Sequence, residues 1–118
     1  MKQSEFVEYL VHDLLADMRG VSARAMFGGW GIYKEGVMFG LVDEDELFLK
    51  VGASNRAEFE AMGSSPYTYA KKDGKRVTMS FWSVSEEMLE SPPELTQLAE
   101  RSHIVAVENA PRVRKVCG

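Results

Sequence analysis

Tyr67, Tyr69, Lys71, Lys72, Lys75, Arg76 and Trp82 gather aromatic rings and cations into one short stretch of the chain. Partner-binding surfaces favour these types, because a ring brings large contact area and a cation brings charge selectivity. The competing reading is a solvated turn. Lys72-Asp73-Gly74 between two alternating runs is a strong hairpin signal, and charges at a hairpin tip usually belong to solvent.

The other residues that invite a chemical reading have simpler accounts. Gly28-Gly29-Trp30-Gly31 has the glycine density of a phosphate-cradling loop, but such loops run from a strand into a helix N-terminus, whereas this one runs into a strand. A β-bulge or a close backbone approach explains it better. His12 and His103 are far apart in sequence and are read as surface or half-buried helix positions rather than metal ligands. Asp43-Glu-Asp-Glu46 superficially resembles a calcium loop but lacks the spaced ligand series and the closing glutamate. No serine sits in a Gly-x-Ser-x-Gly elbow, and Lys50 reads as a strand-end lysine reaching solvent. No catalytic, cofactor-binding or metal-ligating residue is assigned, and the chain is read as non-enzymatic.

The elements that must position these residues follow from periodicity. A chain of 118 residues, 45% hydrophobic and 27% charged, suits one folded domain. Phe6, Val7, Leu10, Val11, Leu14, Leu15 and Met18 recur at helical spacing over residues 4–18, with Ser4 as N-cap and Gly20 as the stop. Residues 30–34, 37–42 and 47–51 read as three strands of an antiparallel meander reversed at Glu35-Gly36 and Asp43 to Glu46. Val37, Phe39 and Leu41 alternate with Met38, Gly40 and Val42, which makes this strand central and covered on both faces. Residues 55–62 predict a short helix burying Phe59 and Met62. Residues 67–71 and 75–82 form the hairpin, with Val77, Met79 and Phe81 on its core side and the aromatic and basic side facing out. Capping boxes at Ser83-x-x-Glu86 and Ser91-x-x-Glu94 announce a short helical turn and a longer helix. In that longer helix Leu95, Leu98, Ala99 and Ala106 make the buried stripe, while Ile104, Val105 and Val107 widen the apolar surface enough to leave a homodimer contact open. Pro111 ends the helix, so the domain is placed at residues 1–110 with a short basic tail at 111–118.

Charge bounds the partners. The net charge of -4 has the wrong sign for holding nucleic acid through its phosphates. Positive charge is local: Lys71, Lys72, Lys75 and Arg76 against Asp73 give +3, Arg112, Arg114 and Lys115 give +3, and the remainder carries -10. The single cysteine, Cys117, cannot pair internally and suits a reducing compartment. The N-terminus has no apolar signal core, and no apolar run approaches the roughly 18 residues of a membrane span, so a cytoplasmic protein is expected.

Arg24-x-Met-Phe-Gly-Gly-Trp-Gly-Ile-Tyr33, Gly36-x-Met-Phe-Gly-Leu-Val42, Glu46-Leu-Phe-Leu-Lys-Val51, Asn55-Arg56, Phe59, Gly63, Pro66-Tyr-Thr-Tyr69 and Val77-Thr-Met-Ser-Phe-Trp82 closely resemble the N-terminal domain of TfoX/Sxy-type competence regulators, over about residues 4–107. The resemblance implies an α+β fold, a two-layer antiparallel sheet with helices in the order α-β(3)-α-β(2)-α, in an architecture like that of secretion chaperones. It implies no cofactor and no settled site residues. Regulators of this family act as co-activators beside the cyclic-AMP receptor protein, and their longer members carry a second, helical domain that resembles a nucleic-acid module. This sequence ends at Gly118, so direct DNA binding is not expected of it alone. The leading expectation is a regulatory domain acting through protein contact, with Tyr67, Tyr69, Lys71, Lys72, Lys75, Arg76 and Trp82 as the partner surface. The alternative is a stand-alone module holding a peptide or small ligand between helices and sheet.

Overall fold

Tight reversals between short apolar runs force neighbouring strands to pair antiparallel, and that rule builds most of this molecule. A computed structural model describes residues 5–26 and 28–109. Its strands are β1 (Val21–Met26), β2 (Gly29–Lys34), β3 (Val37–Asp43), β4 (Glu46–Lys50), β5 (Pro66–Ala70) and β6 (Arg76–Ser83). They form one antiparallel sheet in the order β1-β2-β3-β4-β6-β5. Glu35 and Gly36, with φ of 54° and 77°, and Glu44 and Asp45, with φ of 51° and 62°, make left-handed two-residue turns that match the strand twist.

The helices lie on one face. α1 (Glu5–Tyr9) continues into a π-helical turn, Leu10–Leu14, and is followed along the chain by α2 (Arg56–Ala61), α3 (Glu86–Leu89) and α4 (Pro92–Asn109). Between them and the sheet lies the main core, built from Val7, Leu10, Leu14, Leu15, Ile32, Phe39, Leu47, Leu49, Phe59, Leu95 and Leu98 among others. The opposite sheet face carries a smaller cluster, Leu41, Phe48 and Phe81, flanked by Met38, Tyr67 and Met79. This is the expected two-layer α+β arrangement.

Four local expectations need correction. The meander has four strands: Val21–Met26 pairs along its full length with β2, and with no fully buried residue it has too little contrast to be read from the sequence. The first helix is not uniformly α-helical, because the Leu15 amide donates to the Leu10 carbonyl at 2.9 Å and widens the turn, so that Leu10, Leu14 and Leu15 are all buried. Strict alternation fails in β3. Ile32 pairs with Gly40 and Tyr33 with Met38, leaving Phe39 as the extra residue of a bulge. Phe39 therefore packs with Val37 and Val42 on the helix side, while Leu41 joins Met38 on the other. The cap of α3 is Ser85, whose hydroxyl accepts from the Met88 amide at 3.2 Å; Ser83 instead receives the Ser65 amide and holds Ser64.

Other readings hold. Pro92 opens α4, and the Leu95 amide bonds the Ser91 carbonyl at 2.9 Å. Phe59 is buried in α2, and Gly63 follows that helix with φ of 74°. Ile104 and Val107 stand out from α4, 55% and 49% exposed. His12 is at the surface, 3.4 Å from Glu8, but His103 is buried, its Nε2 3.0 Å from the Lys34 carbonyl and its ring edge-on to Phe39. The expected cap Ser4, the stop Pro111, Cys117 and the tail at 111–118 lie outside the described residues.

Candidate functional site

The β5–β6 hairpin does not present its aromatic and basic residues as one surface. Successive side chains of a strand point to opposite faces, so Tyr67 and Tyr69 lie on the face away from the helices, and Trp82 on the face toward them. Tyr67 stacks edge-on against Phe48 with centroids 5.0 Å apart and lies 6.4 Å from the Tyr69 ring. Trp82 packs against the main core, with the Arg56 guanidinium 5.2 Å from its ring. Lys71, Lys72, Lys75 and Arg76 are exposed at the tip, where the Lys71 amide donates to the Lys75 carbonyl and Gly74 turns the chain with φ of 88°. Arg76 reaches back to the Thr68 hydroxyl at 2.6 Å, and the Lys75 amide donates to the Asp73 carboxylate. Val77, Met79 and Phe81 do face one way together. Met79 and Phe81 belong to the smaller cluster and not to the core under the helices.

The glycine-rich segment makes the close backbone approach that its composition suggested. A Cβ at Gly29 would stand 2.4 Å from the Val42 carbonyl oxygen, and one at Gly31 would meet Met26, Tyr33 and Met38 at 2.9, 2.9 and 3.2 Å. The β1–β2 pairing is continuous through both positions, so no bulge is present there. Lys50 bonds the Ser80 hydroxyl at 2.6 Å and lies over the Phe81 ring at 5.2 Å.

These placements bring together residues that no single motif joined. A cavity of about 430 Å³ opens on the helix-free face, lined by Met26, Gly29, Trp30, Leu41, Val42 and Asp43 on one side and by Tyr67, Tyr69 and Met79 on the other. Residues of β1 and β2 meet residues of β5 and β6 across the intervening strands because the sheet twists and coils. Between helices and sheet, the place the alternative reading gives to a peptide or small ligand, lie the side chains of the main core. At the cavity's polar edge the Tyr67 hydroxyl donates to Asp43 Oδ2 at 2.9 Å. Among the described residues Asp43 has no ion-pair partner, and no group of His, Cys, Asp and Glu is arranged to hold a metal ion.

Burial, and after it the hydrogen bond and the negative charges of Asp43 and Glu44, push the Tyr67 hydroxyl above its ordinary value of 10.0. The folded state thus favours the protonated phenol. Its contribution to stability is complete below the unfolded value and is lost as pH rises through the raised folded one. Urea unfolding between about pH 9 and about pH 11 should therefore show a steeper alkaline loss for the native chain than for Tyr67→Phe, and parallel profiles would mean that the phenol is not held in this way.

The fold and the motif positions define a TfoX N-terminal-type α+β domain. The TfoX N-terminal domain family model matches residues 13–106, and the chain belongs to that family. It is 31% identical over 87 residues to the DNA transformation protein TfoX1 of Aliivibrio fischeri, an alignment covering 74% of this chain and 39% of that protein. To Protein Sxy of Escherichia coli it is 23% identical over 94 residues, covering 80% of this chain and 44% of that protein. The chain thus spans less than half the length of these curated relatives. No helix among the described residues is long and apolar enough to cross a membrane.

Proposed function

We propose that this chain is a non-enzymatic regulatory domain that acts in the cytoplasm through protein–protein contact, as part of transcription control of the competence type. The observation that carries this reading is the family membership, with a relative named as a DNA transformation protein matched over 74% of this chain. Its partner class is a transcription factor of the cyclic-AMP receptor protein type, which is what the family resemblance implies.

The contact surface is the tip of the β5–β6 hairpin, Lys71, Lys72, Lys75 and Arg76, with the half-exposed Tyr69 beside it. Among the described residues none of the three lysines is in an ion pair. On a chain of net charge -4 the tip is a local positive pole, suited to steering an acidic patch on a partner into register. Trp82, packed on the other face, is not part of this surface.

Reversing Lys72 and Lys75 to glutamate should change stability by no more than about 0.5 kcal/mol each, because both are solvated. The same pair should reduce affinity capture of a co-purifying transcription factor from the native cell by about tenfold or more, since like charges would then face each other. Unchanged capture with an intact fold would move the interface to the Ile104 and Val107 side of α4. Capture that never yields a transcription factor would defeat the regulatory reading itself.

A further inference from the structure

We propose that the cavity on the helix-free face is a binding site for a small amphiphilic cation, an ammonium group carried on an aromatic or branched apolar body. This goes beyond the partner reading and does not depend on it, since none of the four basic residues of the hairpin tip lines the cavity and only Tyr69 belongs to both surfaces.

Size and lining argue for a small ligand. The volume of about 430 Å³ falls within the range of ligand pockets, roughly 300–1,000 Å³, and the walls are mainly apolar and aromatic. Gly29 leaves part of the wall without side-chain bulk, and any Cβ added there would collide with the β3 backbone. Met26 and Met79 bring flexible, polarisable side chains that adapt to the outline of an apolar body.

Charge selects the head group. Tyr67 and Tyr69 bring aromatic rings to the cavity wall, and ring faces attract cations through their quadrupoles; Trp30 borders the cavity but packs its side chain against the main core. Asp43 contributes a carboxylate to the cavity wall; one of its oxygens accepts from Tyr67, and the carboxylate has no cation beside it among the described residues. Glu44 and Asp45 follow it directly in the turn to β4, and Glu46 opens that strand opposite Asp43. An anionic ligand would meet this acidic edge unfavourably, and a neutral one would leave the carboxylate unpaired. An ammonium satisfies both the carboxylate and the rings.

The test is a titration of the 15N-labelled chain at neutral pH with three probes of one shape: 4-phenylbutylamine, 4-phenylbutanol and 4-phenylbutyrate. Saturable amide shifts are expected with the amine at Gly29, Leu41, Val42, Asp43, Tyr67 and Tyr69, with the butyrate binding at least tenfold more weakly and the alcohol between them. Asp43→Asn should bring the amine down to the level of the alcohol. Met79→Trp, which fills the cavity without touching the carboxylate, should weaken all three. Equal binding of amine and butyrate by the native chain overturns the proposal, as does the absence of saturable shifts at these amides with every probe. Shifts at the same amides that depend on protein concentration alone would identify the occupant as a second copy of the chain, and would equally overturn it.

Discussion

Replacing Phe39 with alanine should lower the unfolding free energy by about 3–5 kcal/mol, the range for deleting a fully buried aromatic side chain. Phe39 has no exposed surface and lies edge-on to His103, the ring centroids 5.8 Å apart and the planes at 84°. It is the extra residue of the β3 bulge, so its ring and the bare Gly40 beside it both point into the helix layer. Neighbours cannot easily close over the gap, because β3 is held by ladders on both sides and α4 is fastened above it through His103 to the Lys34 carbonyl. Against a total stability of about 5–15 kcal/mol for a small domain, such a loss leaves little margin. Leu41→Ala, on the opposite face and bordering the open cavity, should cost less, about 2–3 kcal/mol, since the space it vacates is continuous with solvent. Urea unfolding reads both as a lowered midpoint at unchanged slope. If Phe39→Ala proves no worse than Leu41→Ala, the main core does not lie under the helices.

The contrast between these two residues shows where sequence pattern informs and where it stops. Leu95, Leu98, Ala99 and Ala106 announce α4 because a helix repeats its buried stripe on every turn, and Asp73-Gly74 announces a hairpin because few residues accept its backbone geometry. Phe39 and Leu41 sit two apart and should share a face, yet the bulge separates them. A bulge belongs to the pairing of two strands and leaves no trace in the alternation of one. β1 escaped for a related reason. Val21-Ser-Ala-Arg-Ala-Met26 buries only small or half-covered side chains, so it has little contrast to read. Trp82 and Tyr67 belong to one hairpin, yet β6 and β5 send them to opposite faces of the sheet. The cavity was the least legible feature, because Met26 and Gly29 come to line one space with Tyr67 and Met79 only once the whole sheet is assembled. His103, Ser102 and Asn55 were hidden by their polarity, since a polar side chain is ordinarily assigned to the surface until its buried partners are known.

Asn55→Ala should cost about 2–3 kcal/mol, a large effect for a residue with no apolar side chain to lose. Asn55 is 2% exposed. Its Oδ1 accepts from the Gly52 amide at 2.8 Å, and its Nδ2 donates to the Lys50 carbonyl at 3.0 Å, reaching the fully buried Ser102 hydroxyl of α4 at 3.5 Å. One side chain therefore ties the end of β4 to the approach of α2 and to α4. Removing it leaves a part-buried amide and a part-buried carbonyl without their protein partners and breaks the link to α4. Asn55→Asp should destabilise as severely, because an oxygen would then oppose the Lys50 carbonyl where a donor now stands. Ser102→Ala, which loses only the longest of the three contacts, should stay near 0.5–1 kcal/mol, about the worth of one ordinary hydrogen bond. Beyond the urea midpoint, amide exchange at Gly52 should accelerate far more in Asn55→Ala than at Leu95 in the middle of the core. Equal acceleration at both amides would mean that the link opens only with global unfolding. Because β4 carries β6, and β6 carries both the basic tip and one wall of the cavity, a local opening at Asn55 should loosen both candidate surfaces before the helix core gives way.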